Sequence, residues 1–374
     1  MRVGLGDRPA LPDLLQLGVW KIELTPKDEP EPPRAEGERE PLPRSRPLLS
    51  AVLIVRDEER FLPQCLESLR DLADEIVIVD TGSSDRTPEI AEAAGAQVFR
   101  RHWEADFGAP RQFAIEQARG LWVLQIDADE MVRPFRRERL NELLLDPSVG
   151  GYYVGFRRRE GLTRNWQLKL FHRHPGLRYR GVVHENLQPA ELRETTGLKL
   201  RHCPLEIDHF GYEGDPRPKA RRNLPLLKRR LGHEAAAGRD PAFLWLDLAD
   251  SSRTLGEEAA FRDYLGRALR AARGAGWRHP SQAATWARAA ELALEEEQSP
   301  DELLDEAEAV VPGDPYVAWL RARARLASGD LREALRIFAE LAERQPPGAG
   351  WIGYDRRLFG PAPKAALQLL SPGG

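Results

Sequence analysis

The sequence predicts an α/β domain with a mostly parallel sheet, followed by an all-α domain of helical repeats. Between residues 48 and 127, apolar segments of strand length alternate with segments whose apolar residues recur at helical spacing. Acidic turns follow three of these strands, at the edge where open α/β sheets bind ligands. After residue 217 the pattern is helical almost to the end, and helical hairpins recur roughly every 34 to 40 residues.

Residues 1–47 are expected to be an N-terminal arm and a disordered linker. Ala10 to Leu24 is apolar enough for one short strand or helix. Pro26 to Pro47 is mostly Pro, Glu and Arg, and such a segment buries too little apolar surface to offset the entropy that ordering costs. We therefore place the first folded domain at residues 48–216.

The α/β domain begins with the apolar run Leu49 to Val55, which suits a strand covered on both faces. The elements predicted after it, in order, are helix Phe61–Leu72, strand Glu75–Val79, a helix begun by Asp85 or Thr87 and closed by Gly95, strand Gln97–Phe99, helix Ala109–Arg119, strand Leu121–Ile126, and shorter strands at Tyr152–Phe156, Leu168–Phe171, Gly181–His184 and Glu206–His209. Alternation of this kind predicts parallel strands joined by helices.

The helical domain is placed at residues 217–345, with a flexible tail at 346–374. Its predicted hairpins are Phe243–Ser252 with Ala259–Ala272, Ala283–Leu294 with Glu302–Val310, and Tyr316–Ala327 with Leu331–Ala342. This spacing is typical of tetratricopeptide-like repeats, and a plain helical bundle is the alternative. The tail is rich in Pro and Gly, which is why we expect it to be loosely held.

The composition bounds the function without naming it. Lys plus Arg is 55 against Asp plus Glu at 59, so the whole chain offers no electrostatic argument for nucleic acid. Two cysteines, Cys65 and Cys203, build no disulfide framework, and a reducing compartment is the default. No apolar run approaches the roughly 20 residues of a transmembrane helix, and the N-terminus does not resemble a signal peptide. We expect a cytoplasmic protein, or one bound peripherally at the inner face of the membrane.

Two carboxylates at alternate positions, Asp127 and Asp129, come directly after the apolar strand Leu121–Ile126. Because both can reach one hard cation, and because Mg²⁺ and Mn²⁺ prefer oxygen ligands, the pair predicts a divalent metal site. Such a metal would neutralise charge that develops on a leaving diphosphate. The turns at Arg56 to Glu59 and Asp80 to Asp85 are expected at the same sheet edge.

Two stretches of the chain together resemble a known family. They are "LSAVLIVRDEERFLPQCLESLRDLADEIVIVDTGSSDRTPEIAEAAGAQVF" and "WEADFGAPRQFAIEQARGLWVLQIDADE". The order, the spacing and the strand context of their motifs are similar to those of inverting family 2 glycosyltransferases, in particular the bacterial subgroup with tetratricopeptide-like repeats. The resemblance covers roughly residues 48 to 212, and the helical region more loosely. It implies a GT-A fold, in which a Rossmann-like sheet binds the nucleotide sugar.

The resemblance also implies roles for the residues that match the motifs. The donor-binding positions it implies are Val55, Arg56, Asp57, Glu58, Asp80, Asp85, Arg111 and Asp127. Asp57 stands where many relatives have Asn, and Arg111 lies in a Pro-Arg-Gln turn where relatives have Ala-Arg-Asn. Alternatives remain from the residues themselves: Asp80 as an ordinary turn residue, Asp85 as a helix cap and Glu58 as the start of a helix.

The acceptor side of the site is expected in "LKLFHRHPGLRYRGVVHENL", which is similar to the corresponding segment of that subgroup. Inverting transfer needs a carboxylate that deprotonates the acceptor, and Glu185 is the first candidate, with Glu130 and Asp208 as alternatives. Asp129 is expected to act with the metal, and His209 would complete the metal shell or contact the diphosphate. His184, Arg173 and Tyr179 are candidate contacts to the acceptor or the diphosphate, and each histidine has a structural role as its alternative.

The predicted function is metal-assisted transfer of a hexose-type sugar from a nucleotide diphosphate sugar. UDP is the carrier the resemblance favours, and the acceptor is an envelope glycan, a lipid-linked saccharide or a peptide. The competing hypothesis is a non-catalytic scaffold of the same fold whose helical repeats bind a protein or peptide partner.

Overall fold

The computed structural model describes residues 19–22, 47–158, 164–187, 194, 197–211, 215–236, 242–274, 280–346, 349–350 and 352–370. The chain divides into two compact units, the first formed by Thr25–Glu160 and Arg164–Arg239, the second by Met1–Leu24, Gly161–Thr163 and Asp240–Gly374. Each unit has a buried apolar core of its own. Nearly all of the predicted linker, Pro26 to Pro47, lies outside the described residues.

A mixed sheet is the centre of the first unit. The strands, numbered along the chain, are β1 (Val19–Ile22), β2 (Leu49–Val55), β3 (Glu75–Asp80), β4 (Gln97–Arg100), β5 (Trp122–Gln125), β6 (Glu130–Val132), β7 (Val149–Arg158), β8 (Arg164–His172), β9 (Tyr179–Arg180), β10 (Asn186–Leu187), β11 (Lys199–His209), β12 (Ala349–Gly350) and β13 (Ile352–Tyr354). Eight of them follow the order β4-β3-β2-β5-β8-β7-β11-β6. Neighbours from β4 to β5 and the pair β7/β11 are parallel, and the other three pairs are antiparallel. The mostly parallel sheet is therefore confirmed.

Helices pack on both faces of this sheet within the first unit. The helices of the first unit are α1 (Leu62–Leu69), α2 (Thr87–Ala93), α3 (Gly108–Gln117), α4 (Arg137–Leu144) and α5 (Arg217–Ala236). Those of the second unit are α6 (Ala242–Thr254), α7 (Glu258–Gly274), α8 (Pro280–Glu295), α9 (Asp301–Val310), α10 (Pro315–Ala327), α11 (Leu331–Glu343) and α12 (Pro361–Leu370). Ile78 of β3 packs in one core with α1 and α4, whereas Val77 and Val79 pack in the other with α3, as alternating strand residues must. No helix in the described part of the chain is long and apolar enough to cross a bilayer.

Three local features of the first unit differ from the prediction. β6 and α4 were not predicted, because each is short and the sequence between residues 130 and 144 is largely polar. The strand expected at Gly181–His184 is instead a loop between β9 and β10. Its end residues, Gly181 at φ +91° and His184 at φ +50°, have left-handed backbone conformations that a strand does not accept.

The helix α5 belongs to the first unit, although its sequence was assigned to the helical domain. This unit extends to Arg239, beyond the boundary expected at residue 216. Leu224, Leu226 and Leu227 of α5 are buried, and Arg230 is 5% exposed. Helical periodicity alone does not say which core an amphipathic helix packs on. The prediction therefore grouped α5 with the helices that follow it in the sequence.

Helical hairpins make up most of the second unit, at the predicted positions. Pairs α6/α7, α8/α9 and α10/α11 each pack together. The helix α10 begins after Asp314, whose Oδ1 accepts the backbone N–H groups of Tyr316 (2.8 Å) and Val317 (3.0 Å). The next begins after Asp330, which accepts from Glu333 N (3.2 Å). These side chains satisfy N–H groups that a helix start leaves without an intrahelical partner.

The C-terminal segment is folded in the second unit, so the prediction of a flexible tail at 346–374 was wrong for its described part. β13 pairs antiparallel with β1, and α12 follows. The Tyr354 hydroxyl donates to Asp314 Oδ2 (2.8 Å), and Leu358 and Ala366 are fully buried in the core of the helical unit. Pro and Gly dominated the composition, but these spaced apolar residues bury enough surface to fix the segment.

Ala366→Asp tests this packing. We expect the free energy of unfolding of the second unit to fall by about 3 kcal/mol, because a carboxylate would be buried without a partner. Gln368→Asp introduces the same group at an exposed position two residues away and is the matched control. Chemical denaturation followed by far-ultraviolet circular dichroism measures both. Equal effects of the two changes would contradict the packing of α12.

Candidate active site

The loops after β2 and β3 are tied together at the carboxyl edge of the sheet. Asp57, at φ +54°, accepts from the Ser84 backbone N–H (2.7 Å), and its own N–H donates to Ser83 Oγ (3.0 Å). Asp80 Oδ1 accepts from the backbone N–H (3.0 Å) and the hydroxyl (2.5 Å) of Ser83. Parallel strands bring these two turns side by side, and the hydrogen bonds then fix their shape.

Asp85 accepts hydrogen bonds from the start of α2 and from the neighbouring loop. Its Oδ1 accepts from Thr87 N (2.9 Å) and its Oδ2 from Glu59 N (3.1 Å), so both oxygens serve backbone groups. Val55 O accepts from Thr81 N (2.9 Å), and Arg56 is half exposed. Asp80 and Asp85 therefore shape these loops in this conformation, which is the alternative that the sequence left open for both.

Glu58 lies where these loops face the acidic pair. Burial, followed by the charges of Asp129 and Asp127, raises the pKa of Glu58 to about 7. Its backbone N–H donates to Thr87 Oγ1 (2.7 Å), which fixes it to the loop after β3. The structure thus brings the predicted turn and the predicted acidic pair together.

Asp127 is held by basic side chains. Arg111 Nη2 lies 2.8 Å from Asp127 Oδ1, and Lys169 Nζ lies 3.9 Å from Oδ2. Burial opposes ionisation, but the Arg111 and Lys169 charges outweigh it and hold the pKa of Asp127 well below its ordinary value. Gln125 Nε2 donates to the same Oδ1 (3.2 Å). The contacts with Arg111 and Lys169 therefore favour the ionised form of Asp127.

Asp129 has a different partner. Its Oδ2 lies 3.1 Å from His209 Nε2, and its backbone carbonyl accepts from Phe210 N (2.9 Å). His209 ends β11, directly opposite Glu130 of β6, so the antiparallel pairing of these strands sets this contact. Gly211 packs so closely against Asp129 that a side-chain carbon there would collide with the carboxylate.

The fit of these residues to a divalent cation rests on that contact. Two cis ligands of an octahedral ion with bonds of about 2.1 Å are about 3 Å apart, close to the 3.1 Å between Asp129 Oδ2 and His209 Nε2. Asp127 is engaged by Arg111 instead, and the described residues contain no group of three or more His, Cys, Asp or Glu side chains arranged for a metal. Two of the three predicted ligands are thus brought together, and Asp127 would need to rotate to join them.

A buried ion pair supports the acidic turn from below. Lys169 Nζ lies 2.6 Å from both Glu130 oxygens, and Glu130 Oε2 also accepts from Asp127 N (3.0 Å). Glu130 is 1% exposed and Lys169 5% exposed. The sequence offered Glu130 as a base, but these contacts make it a support of the turn. Lys169 was missed, because a lysine within a strand pattern does not reveal its partner.

Lys169→Met should lower the free energy of unfolding by about 3 kcal/mol, because it leaves the Glu130 carboxylate buried without its cation. Denaturant titration of the full chain measures the loss. Arg139→Met is the control: its partner Glu142 and Arg139 itself are more than half exposed, and such pairs contribute little. Two equal losses would contradict a supporting role for Lys169.

Arg111 joins Asp127 to Glu185. Its Nε donates to Glu185 Oε1, while Nη1 is buried and makes no hydrogen bond to a described residue. Glu185 and Arg111 side chains are 9% and 11% exposed. Tyr179 lies beside them: burial raises the pKa of its hydroxyl well above the ordinary value, and the Arg111 charge opposes this. Arg111, Tyr179 and Glu185 are therefore one cluster, next to the acidic pair.

Two predicted residues lie elsewhere. Arg173 donates from Nε to Gly120 O (2.9 Å), at the amino end of β5 and thus the opposite edge of the sheet from Asp127. Asp208 lies 3.1 Å from Arg133 and 3.6 Å from Arg157, and it alternates with His209 along β11, so it faces away from Asp129. The expected roles of Arg173 as a substrate contact and of Asp208 as an alternative base are thereby corrected. His184 precedes Glu185 of the cluster, and its backbone carbonyl accepts from Arg230 Nη1 (3.0 Å).

Comparisons with known proteins find similarity to glycosyltransferases and to a repeat-containing protein. Residues 50–203 match the model of glycosyl transferase family 2. A TPR repeat-containing protein of Synechococcus elongatus is 32% identical over 235 residues, which are 60% of this chain and 57% of the relative. The lipopolysaccharide core biosynthesis glycosyltransferase LpsC of Rhizobium meliloti is 36% identical over 178 residues, 43% of this chain and 65% of the relative. The chain therefore spans less than two thirds of each relative's length.

Among solved structures, residues 1–349 of TarS from S. aureus match 75% of this chain and 92% of that chain. The sequence identity is 14% and the TM-score 0.36.

Proposed function

We propose that this protein, whose residues 50–203 match the glycosyl transferase family 2 model, transfers a hexose-type sugar from a nucleotide diphosphate sugar with the help of a divalent cation. One observation carries the proposal. Asp129 and His209 lie 3.1 Å apart at the carboxyl edge of the sheet, beside the joined side chains of Asp127, Arg111 and Glu185. Residues that could bind a cation, bind a phosphate and accept a proton are therefore neighbours, which supports the proposal.

The donor half of the site would be built by the loops after β2 and β3 and by the acidic turn. Asp129 and His209 would hold the Mn²⁺ or Mg²⁺, which supplies a positive charge to the diphosphate as it leaves. Asp127 would join them once Arg111 turns toward the diphosphate. The hydrogen-bonding capacity left at Arg111 Nη1 supports a phosphate contact there, because guanidinium groups pair well with phosphate oxygens.

Glu185 is the carboxylate best suited to take the proton of the acceptor. It is partly buried next to Arg111, on a loop rather than in the floor of the site. Glu130 is bound by Lys169 on both oxygens, and Asp208 faces Arg133 and Arg157, so neither matches that role. Release of Glu185 from Arg111 when the diphosphate binds would couple donor binding to its availability as a base.

The donor and the acceptor are proposed by class. UDP-hexose is the donor we favour, and an envelope glycan, a lipid-linked saccharide or a peptide is the acceptor. The LpsC relative is named for lipopolysaccharide core biosynthesis, which supports a saccharide acceptor. The helical second unit would recruit a protein or peptide partner.

A donor screen tests the proposal. Purified full chain is incubated with UDP-, GDP- and dTDP-hexoses, and release of the nucleoside diphosphate is followed with Mn²⁺ and after chelation. We expect the hexose of one nucleoside diphosphate to be hydrolysed in the presence of the metal, and none of the nucleotide sugars to be hydrolysed after the metal is removed. Absence of metal-dependent turnover and of any thermal stabilisation by a nucleotide sugar would contradict catalysis and favour the scaffold alternative.

A further inference from the structure

The helix α5 contacts two loops next to the cluster of Arg111, Tyr179 and Glu185 through two consecutive arginines. Arg230 Nη1 donates to Val183 O (2.5 Å) and to His184 O (3.0 Å). Arg229 Nη1 donates to Glu104 O (3.0 Å) and to Ala105 O (3.2 Å). Each arginine thus holds two successive carbonyl groups, one pair in each of two loops that flank Arg111.

Both loops carry a non-glycine residue in the left-handed backbone region. His184 is at φ +50° and Ala105 at φ +56°, and each is the second residue of the carbonyl pair that an arginine holds. Such conformations cost free energy and persist only where the surroundings hold them. The two arginines therefore stabilise the backbone of these loops at their strained positions.

The loop of residues 181–185 is packed too closely for its backbone to shift freely. A side-chain carbon on Gly181 would lie 2.7 Å from Arg230 Cζ, and one on Gly108 would lie 2.6 Å from Gly181 O. Phe107 N donates to Val182 O (2.8 Å). The carbonyl groups of residues 181 to 184 thus meet Gly108, Phe107 or Arg230, and Glu185 comes next in the chain.

The charge of the buried Arg230 side chain is compensated by neighbouring groups. It is 5% exposed, and Glu234, one turn along α5, lies 3.8 Å from its Nε. A buried guanidinium is costly unless charge and hydrogen bonds compensate it, and here a carboxylate and two carbonyls do so.

We propose that Arg230, assisted by Arg229, is a positioning residue for transfer: it holds the loop 181–185 so that Glu185 faces Arg111 and the acidic pair. The assignment rests on the proposed function. It makes α5, which the sequence grouped with the helical repeats, a working part of the transferase unit. Displacement of a reacting group by about 1 Å can lower a rate about 100-fold, so a loosened loop would have a large effect without touching the donor.

The test compares Arg230→Met with Arg230→Lys and Lys228→Met in the full chain. Lys228 is exposed on the same helix and controls for the lost charge. With a UDP-hexose and Mn²⁺, we expect Arg230→Met to lower kcat for hydrolysis about 30-fold while KM for the donor changes less than about 2-fold. Arg230→Lys should lose about 5-fold, because lysine lacks the planar guanidinium whose Nη1 binds both carbonyls while its Nε faces Glu234. Lys228→Met should match the parent chain.

Hydrogen exchange provides a readout that does not depend on activity. In Arg230→Met, amides of residues 181–187 should exchange about 10-fold faster, while those of β2 stay unchanged. Unchanged exchange, a loss expressed in KM alone, or a parent-like kcat for both Arg230 variants would overturn the positioning role. If Arg230→Met does not fold, Arg230→Lys decides by the same criteria. If residues 181–187 exchange faster in Arg230→Met but the parent chain hydrolyses no nucleotide sugar, the result would contradict the proposed function and leave the role of Arg230 in holding the loop intact.

Discussion

Asp129→Asn should lower metal-dependent hydrolysis of the nucleotide sugar by about 100- to 1000-fold. The change keeps the size of the side chain but removes the charge that would hold the cation beside His209, 3.1 Å away. Loss of one group that stabilises transition-state charge typically costs about 3 to 4 kcal/mol, and each 1.4 kcal/mol is about tenfold in rate. The measurement is kcat/KM at saturating Mn²⁺, together with the affinity for Mn²⁺ in the presence of UDP.

The control is Asp71→Asn, which removes an exposed carboxylate in the loop that leads to the amino end of β3. It should keep both the rate and the affinity for Mn²⁺. Circular dichroism and denaturation establish that Asp129→Asn is folded. A folded Asp129→Asn protein with parent-like turnover, or turnover that resists chelation, would contradict a metal role for Asp129.

The sequence predicted those parts of the site whose positions follow from where they stand along a strand or just after it. An Asp-x-Asp pair after a buried strand, and two more polar turns after parallel strands, must meet at one sheet edge, and they do. Sequence position also separates Asp208 from His209, because neighbours on a strand point to opposite faces. Once the position of β11 is known, this alternation places Asp208 on the opposite face from His209, which removes Asp208 as an alternative base.

The parts that failed depend on partners far along the chain. Arg111 binds Asp127 and Glu185, which is 74 residues away, and no local pattern states that pairing. Lys169 and Glu130 are likewise 39 residues apart. Arg173 was grouped with the site because its sequence neighbours were, but the antiparallel course of β8 carries it to the other edge of the sheet.

Glu185→Gln should lower turnover roughly 100- to 1000-fold and leave donor binding intact, because general-base catalysis contributes about that much. The amide oxygen of glutamine still accepts from Arg111 Nε, and Arg111 keeps Asp127 as its ion pair, so the cluster should stay folded. The readouts are kcat for hydrolysis and the thermal shift caused by UDP with Mn²⁺. Asp208→Asn, the matched change in the carboxylate that faces Arg133 and Arg157, should be near parent-like in both.

A nucleophile that carries no proton distinguishes the role of Glu185 as a base from a role in binding or folding. Azide attacks as an anion, so it does not need Glu185, and it should restore formation of a glycosyl azide in Glu185→Gln but not in Asp129→Asn. The recovered product must have the configuration inverted relative to the donor, because azide would take the place of the acceptor. Two results would contradict Glu185 as the base. One is a Glu185→Gln protein that hydrolyses its donor at the parent rate. The other is a Glu185→Gln protein that binds UDP and Mn²⁺ but stays inactive with azide.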